Sequence, residues 1–150
     1  MSVKSQEANM RKLARLLSQD LGYIFGERES GPNGAKRVFL NTGKVFLRAL
    51  SKDLGLRAAK ITSNAGGIAV SGDCTLMGMW ENGGIYVNIS QPACGGELVL
   101  CYRSIRHLRD YSGGYNHWLK REDLQEFSYD RLLTTLLTLK KEEQSYERAA

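Results

Sequence analysis

The chain has 150 residues and a mass of 16.8 kDa, is 42% hydrophobic and 25% charged, and contains only two prolines. That composition describes one folded globular domain rather than a disordered or fibrous chain. No run of roughly 18 apolar residues exists to cross a bilayer, and the acids and amides of MSVKSQEANMRKLARLL stand where a secretory leader needs an apolar core. The expected location is therefore cytoplasmic. Cys74, Cys94 and Cys101 are an odd number for internal pairing and are expected as reduced thiols.

The net charge of +5 is unevenly spread. Residues 1–62 carry twelve Lys/Arg against five Asp/Glu, residues 63–102 carry no Lys or Arg, and residues 103–121 carry five bases against Asp110 alone. The tail from 122 to 150 is acidic. A stretch without cations implies strands that are buried or face protein, and the basic blocks are where a polyanion would be met.

In chain order, residues 1–25 read as an amphipathic helix, with Met10, Leu13, Leu17, Leu21 and Ile24 at three- and four-residue spacing. Residues 26–37 read as a polar loop with Pro32-Asn33-Gly34 as its turn. A second helix is expected from 42, capped by Asn41 or Thr42, with Val45, Phe46, Ala49, Leu50 and Leu54 as its apolar stripe. Gly55 stands where a left-handed residue closes a helix.

From residue 58 the period changes to two. Ala59–Ser63 is one β-compatible run, and Ile68, Val70, Cys74 and Leu76 make another, with Gly72 as a bulge between them. Ile85, Val87 and Ile89 share one face of a third run, and Leu98, Leu100 and Tyr102 oppose Val99, Cys101 and Arg103 in a fourth. Glycine-containing turns at 64–67, 81–84 and 93–96 link these runs into an antiparallel meander. They are not phosphate loops, since neither a Walker ending nor G-x-G-x-x-G is present. Residues 104–121 fit neither period and read as a loop. A leucine-rich helix follows at 122–145, and its apolar face packs on the sheet or forms a homodimer interface. The expected fold is α+β: a four-stranded antiparallel meander flanked by N-terminal helices and a C-terminal helix, in one domain.

The segment 102–121 interleaves rings with cations. Tyr102, Tyr111, Tyr115 and Trp118 alternate with Arg103, Arg106, Arg109, Lys120 and Arg121, and with His107 and His117. Guanidinium forks bind phosphate oxygens in pairs and aromatic faces accept unstacked bases, so such a mixture suits RNA, single-stranded DNA or a ribonucleoprotein. Gly113-Gly114 would let backbone approach a ligand closely. The competing expectation is that the rings plug the core edge while the arginines are solvated. A protein–protein inhibitor or adaptor acting through the sheet or the last helix is the alternative function. A third is a phosphodiesterase using His107 and His117 as an acid–base pair. The spacing of Cys94, Cys101, His107 and His117 lacks a C-x-x-C knuckle, so neither a metal nor a cofactor is expected. Asp73, Glu81, Glu97 and Asp110 form no acid–base pair by spacing.

The stretch from Asn64 to Trp118, about one third of the chain, resembles a module of uncharacterised bacteriophage and prophage proteins. The resemblance rests on Gly66-Gly67-Ile68-Ala69-Val70-Ser71-Gly72, on Ile85-Tyr86-Val87-Asn88-Ile89-Ser90-Gln91 and on Arg109-Asp110-Tyr111-Ser112-Gly113-Gly114. It implies a small accessory protein made during infection, in the bacterial host cytoplasm, of a kind that binds and blocks a host machine such as a nucleic-acid-guided defence complex. With the absence of a complete catalytic motif, the expected role is non-enzymatic binding.

Overall fold

A computed structural model describes residues 2–17, 34–65, 72–90 and 96–149, with α-helical side chains at the C-terminal end described through Lys140. Two helices, α1 (Val3–Leu16) and α2 (Ala35–Asp53), precede five strands: β1 (Ala58–Asn64), β2 (Asp73–Met79), β3 (Gly84–Ser90), β4 (Leu98–Ile105) and β5 (His117–Lys120). Two helices follow, α3 (Arg121–Glu126) and α4 (Tyr129–Ala149). The strands form a single antiparallel sheet in sequence order, each pairing with the next.

Strand alternation decides which residues meet the helices. Leu76 pairs with Val87, and Val87 with Tyr102; Cys74 pairs with Ile89, and Ile89 with Leu100. Cross-strand partners point to the same side of a sheet, and all of these side chains lie in the hydrophobic core. Helix α2 lies against β1 and β2, α4 lies against β3 and β4, and α1 packs mainly on α2 and α3. Phe39, Phe46, Leu47 and Leu50 from α2, Met10 and Leu13 from α1, and Leu132 and Leu136 from α4 are fully buried there. Each such side chain contributes about 1.5–3 kcal/mol by leaving water. All helices thus cover one face, as the α+β reading requires.

Hydrogen bonds fix the helix ends. Gln6 donates through Nε2 to the Phe46 carbonyl at 3.1 Å and to the Tyr129 hydroxyl at 3.3 Å, and that hydroxyl donates to Asp53 at 2.6 Å. Burial, reinforced by the Asp53 bond, pushes the Tyr129 phenol up from its ordinary value. Glu7 accepts the Tyr129 amide at 2.7 Å, and Ser128 accepts the Arg131 amide at 3.1 Å, so two of the free donors in the first turn of α4 are satisfied by side chains. Arg11 donates to the carbonyls of Leu124 and Phe127 at the end of α3.

Several expected boundaries move. The N-terminal helix ends at Leu16, with Leu17 as its cap, and residues 18–25 lie outside the described residues. Helix α2 starts at Ala35, not at 42, so the polar loop does not reach 37. Gly34 takes the extended N-cap conformation, and fully burying Phe39 outweighs the weak helix propensity of Asn41 and Thr42. Gly55 has φ of +71°, the left-handed closure expected. Ile68, Val70 and most of the turns at 64–67 and 93–96 fall outside the described residues, and the 81–84 turn is closed by the Trp80 amide on the Gly83 carbonyl. Gly72, with φ of +79°, stands immediately before β2, and the Ile68–Val70 half of the expected run lies outside the described residues.

The sheet has five strands rather than four. Residues 117–120 add an edge strand to β4, with an irregularity between Leu98 and Leu100 that lets Val99 and Leu100 both enter the core. The single C-terminal helix expected at 122–145 is two, because Phe127 is extended at φ −65°, ψ 140°. Its leucines at 132, 136 and 139 are all buried in the chain's own core. Leu133 and Leu137 of the same face are half-buried against that core, so most of the expected apolar face packs on the chain itself.

Candidate nucleic-acid interface

Among the described residues, no helix packs on the second face of the sheet. Alternation places Lys60, Met77, Tyr86 and Arg103 in one row across it, because these residues pair successively from β1 to β4. The neighbouring row is Thr62, Thr75, Asn88, Cys101 and Trp118, running from β1 to β5. The loop joining β4 to β5 folds back over this face. Arg103 is 6% exposed and donates to the carbonyls of Gly113 at 2.9 Å and Asp110 at 3.1 Å, while its guanidinium lies 4.3 Å over the Tyr86 ring. A buried cation with two carbonyl partners and a ring beneath it fastens the loop to the sheet.

Asp110 organises the loop itself. Its carboxylate accepts from Arg106 Nε at 3.1 Å, from the Arg106 amide at 2.9 Å and from the Ser112 amide at 3.2 Å. The Arg106 side-chain bond is the chief reason that Asp110 is held well below the usual carboxylate range, and the amide bonds add to it against the cost of burial. Gly113 packs so tightly on Asp110 that a Cβ would lie 2.2 Å from the carboxylate, and Gly114, with φ of +67°, presses on Ser104. The glycine pair therefore serves the loop's own closure, where a close approach to a ligand was expected.

The residues singled out in the sequence separate into groups. Arg103 is enclosed and Arg106 is tied to Asp110, although its side chain is 76% exposed. Arg109 is exposed, and its amide donates to His107 Nδ1 at 3.2 Å. Lys120 is exposed, with Nζ 4.0 Å from Glu97, and Arg121 reaches the Leu17 carbonyl at 3.5 Å. His117 pairs with Tyr102 and stacks on it at 5.0 Å, on the helix side of the sheet. His107 belongs to the loop. The same alternation separates Cys101 from His117, and no group of three metal-ligating side chains gathers among the described residues. Cys94 lies outside them.

Tyr111 is 70% exposed, Tyr115 78% and Trp118 47%. The described residues include only three other exposed large hydrophobic side chains, Val3, Val45 and Leu98. The rings of 111–118 do not plug the core. Only Tyr102, at 8%, does that. Tyr111 leans over the open face and, with Lys60, Thr62, Thr75, Met77 and Tyr86, lines an open depression of about 180 Å³.

Lys60, Thr62, Thr75 and Tyr86 are the site residues that sequence reasoning missed. The inward alternation of Ile85, Val87 and Ile89 already put Tyr86 and Asn88 on the opposite face. Placing Lys60 and Thr75 beside them needs the register. The thiols are quiet: burial, then Asp73, pushes Cys74 up to about 12 against the pull of Lys44, and burial raises Cys101 against Arg103. No described helix is long and apolar enough to cross a membrane.

Compared with known proteins, the chain matches no family model, no curated protein and no solved structure. The class that fold and site define is thus a helix-backed antiparallel meander with one open, aromatic face.

Proposed function

We propose that the protein is a non-catalytic binder of single-stranded nucleic acid, using the uncovered sheet face and the loop that borders it. The observation that carries this reading is the water-exposed set Tyr111, Tyr115 and Trp118 beside a sheet face that offers Lys60, Thr62, Thr75 and Asn88. Exposing three large rings in one segment forgoes their burial, and single-stranded chains recover that loss because every base has a face to stack. Arg109, Lys60 and Lys120 supply cations at the border for phosphates. Arg103 acts one step back, holding the loop in place.

Fluorescence anisotropy with a labelled single strand and the matching duplex, across a salt series, tests the reading. The single strand binds more tightly, and its affinity falls linearly on a log–log plot, by roughly 0.7 in slope for each phosphate contacted. Absent binding, or binding indifferent to salt, overturns it.

A further inference from the structure

The depression on the open face has a size and a hydrogen-bonding character of its own. Its volume of about 180 Å³ is below the roughly 300–1,000 Å³ of pockets that enclose drug-sized ligands. It suits one planar ring system whose sugar and phosphate remain outside, which is how a base splayed from a polymer would sit. The walls are Tyr86, backed by the Arg103 guanidinium, and Tyr111, with Met77 at 5% exposure beneath them.

The polar groups the depression offers are two threonine hydroxyls, which donate or accept, and the Lys60 ammonium, which only donates. Thr75 Oγ1 accepts from Asn88 Nδ2 at 2.9 Å, which directs its own hydrogen to another acceptor. Thr62 brings a second hydroxyl, and the Lys60 ammonium, which has three donors and no acceptor capacity, is exposed at the rim. Resting on the proposed single-strand binding, we infer that this depression takes one unstacked base by its carbonyl edge, favouring uracil, thymine or guanine over cytosine and adenine. An exocyclic amino group facing the Lys60 ammonium would put donor against donor, whereas a carbonyl there is matched by Lys60 and by the free hydroxyl hydrogen of Thr75.

Uracil and cytosine differ in that edge while having nearly the same size and stacking face, so they isolate the effect. The probes are fluorescein-labelled oligouridylate and oligocytidylate of equal length, with oligothymidylate and oligodeoxycytidylate as the deoxyribose arm. Binding is measured to wild type, Thr75→Val, Lys60→Met and Tyr111→Ala, each checked for folding by circular dichroism. Wild type should bind the carbonyl-edged probe about tenfold more tightly, the size of one good hydrogen-bonded discrimination. Thr75→Val, which keeps the β-branched shape, and Lys60→Met should each reduce that ratio toward one. Tyr111→Ala should weaken both probes and leave the ratio. Equal wild-type affinity for the two probes, or a preference unchanged in both Thr75→Val and Lys60→Met, overturns the base assignment and leaves single-strand binding standing. No binding to any probe overturns both.

Discussion

The two faces of the sheet come from the same strands and differ in almost every physical respect. Toward the helices, Cys74, Leu76, Ile85, Val87, Ile89 and Leu100 are fully or almost fully buried, and their role is packing. On the other side, Lys60 and Thr62 stay exposed, Thr75, Tyr86 and Asn88 are half-buried, and among the described residues the long β4–β5 loop supplies the cover. A sheet with one solvated face is ordinary for antiparallel strands. What distinguishes this one is the cluster of exposed rings and donors where scattered charge would suffice for solubility. Stability should therefore map to one face and ligand affinity to the other.

The largest effect that separates them is Leu76→Ala. Leu76 is fully buried, and its truncation should cost about 2–5 kcal/mol in urea unfolding. Its neighbours on the opposite side, Thr75→Val and Trp118→Ala, should stay within about 0.5–1 kcal/mol of wild type. A large loss at Trp118 would erase the contrast.

Arg103 is the residue where the two faces become coupled. Arg103→Gln removes charged donors from the Gly113 and Asp110 carbonyls, at an expected cost of about 1.5–3 kcal/mol. Hydrogen exchange should show residues 111–115 losing protection while β2 and β3 keep theirs. Uniform acceleration across the sheet would mean that the loop is not a separate unit.

For binding, Trp118→Ala should weaken a single-stranded oligonucleotide by about 1–3 kcal/mol, the worth of one stacked base. Unchanged affinity would remove Trp118 from the interface. At the packed face, Gly43 in α2 sits where a Cβ would lie 2.5 Å from Cys74 Sγ. Gly43→Ala should destabilise by about 1–2 kcal/mol despite the better helix former. In a double-mutant cycle with Cys74→Ala the two losses should be less than additive, and strict additivity would deny the contact.

The smallest effect is the pH response of the loop. Asp110 is depressed in the folded state, so its stabilisation is complete well above its unfolded value of about 3.9 and is lost as pH falls below that toward the folded one. Urea midpoints at pH 7 and pH 3 should fall less steeply for Asp110→Asn than for wild type. Equal slopes would show that another carboxylate governs acid sensitivity.

Much of this division was legible before any coordinates. The period of two placed Ile85, Val87 and Ile89 on one face and Gly55 marked the end of α2, whereas the rings of 111–118 fitted both a binding surface and the core edge. Other features depend on partners distant in sequence. Four residues, His117–Lys120, are too few to show a period and become a strand only because the Arg103–Asp110–Gly113 clamp returns the chain to β4. The same clamp takes Arg103 and Arg106 out of the set of freely available cations, which a count of arginines along 103–121 does not reveal. Lys60 and Thr75 join Tyr111 only through strand register.

The account's central claim is that ligand meets the open sheet face. An ¹⁵N–¹H NMR titration with a single-stranded oligonucleotide tests it most directly. Shifts concentrated at Lys60, Thr62, Thr75, Tyr86, Tyr111, Tyr115 and Trp118, with α1 and α4 unmoved, are the predicted result. Shifts confined to the helical layer, or none at saturating oligonucleotide, would contradict it.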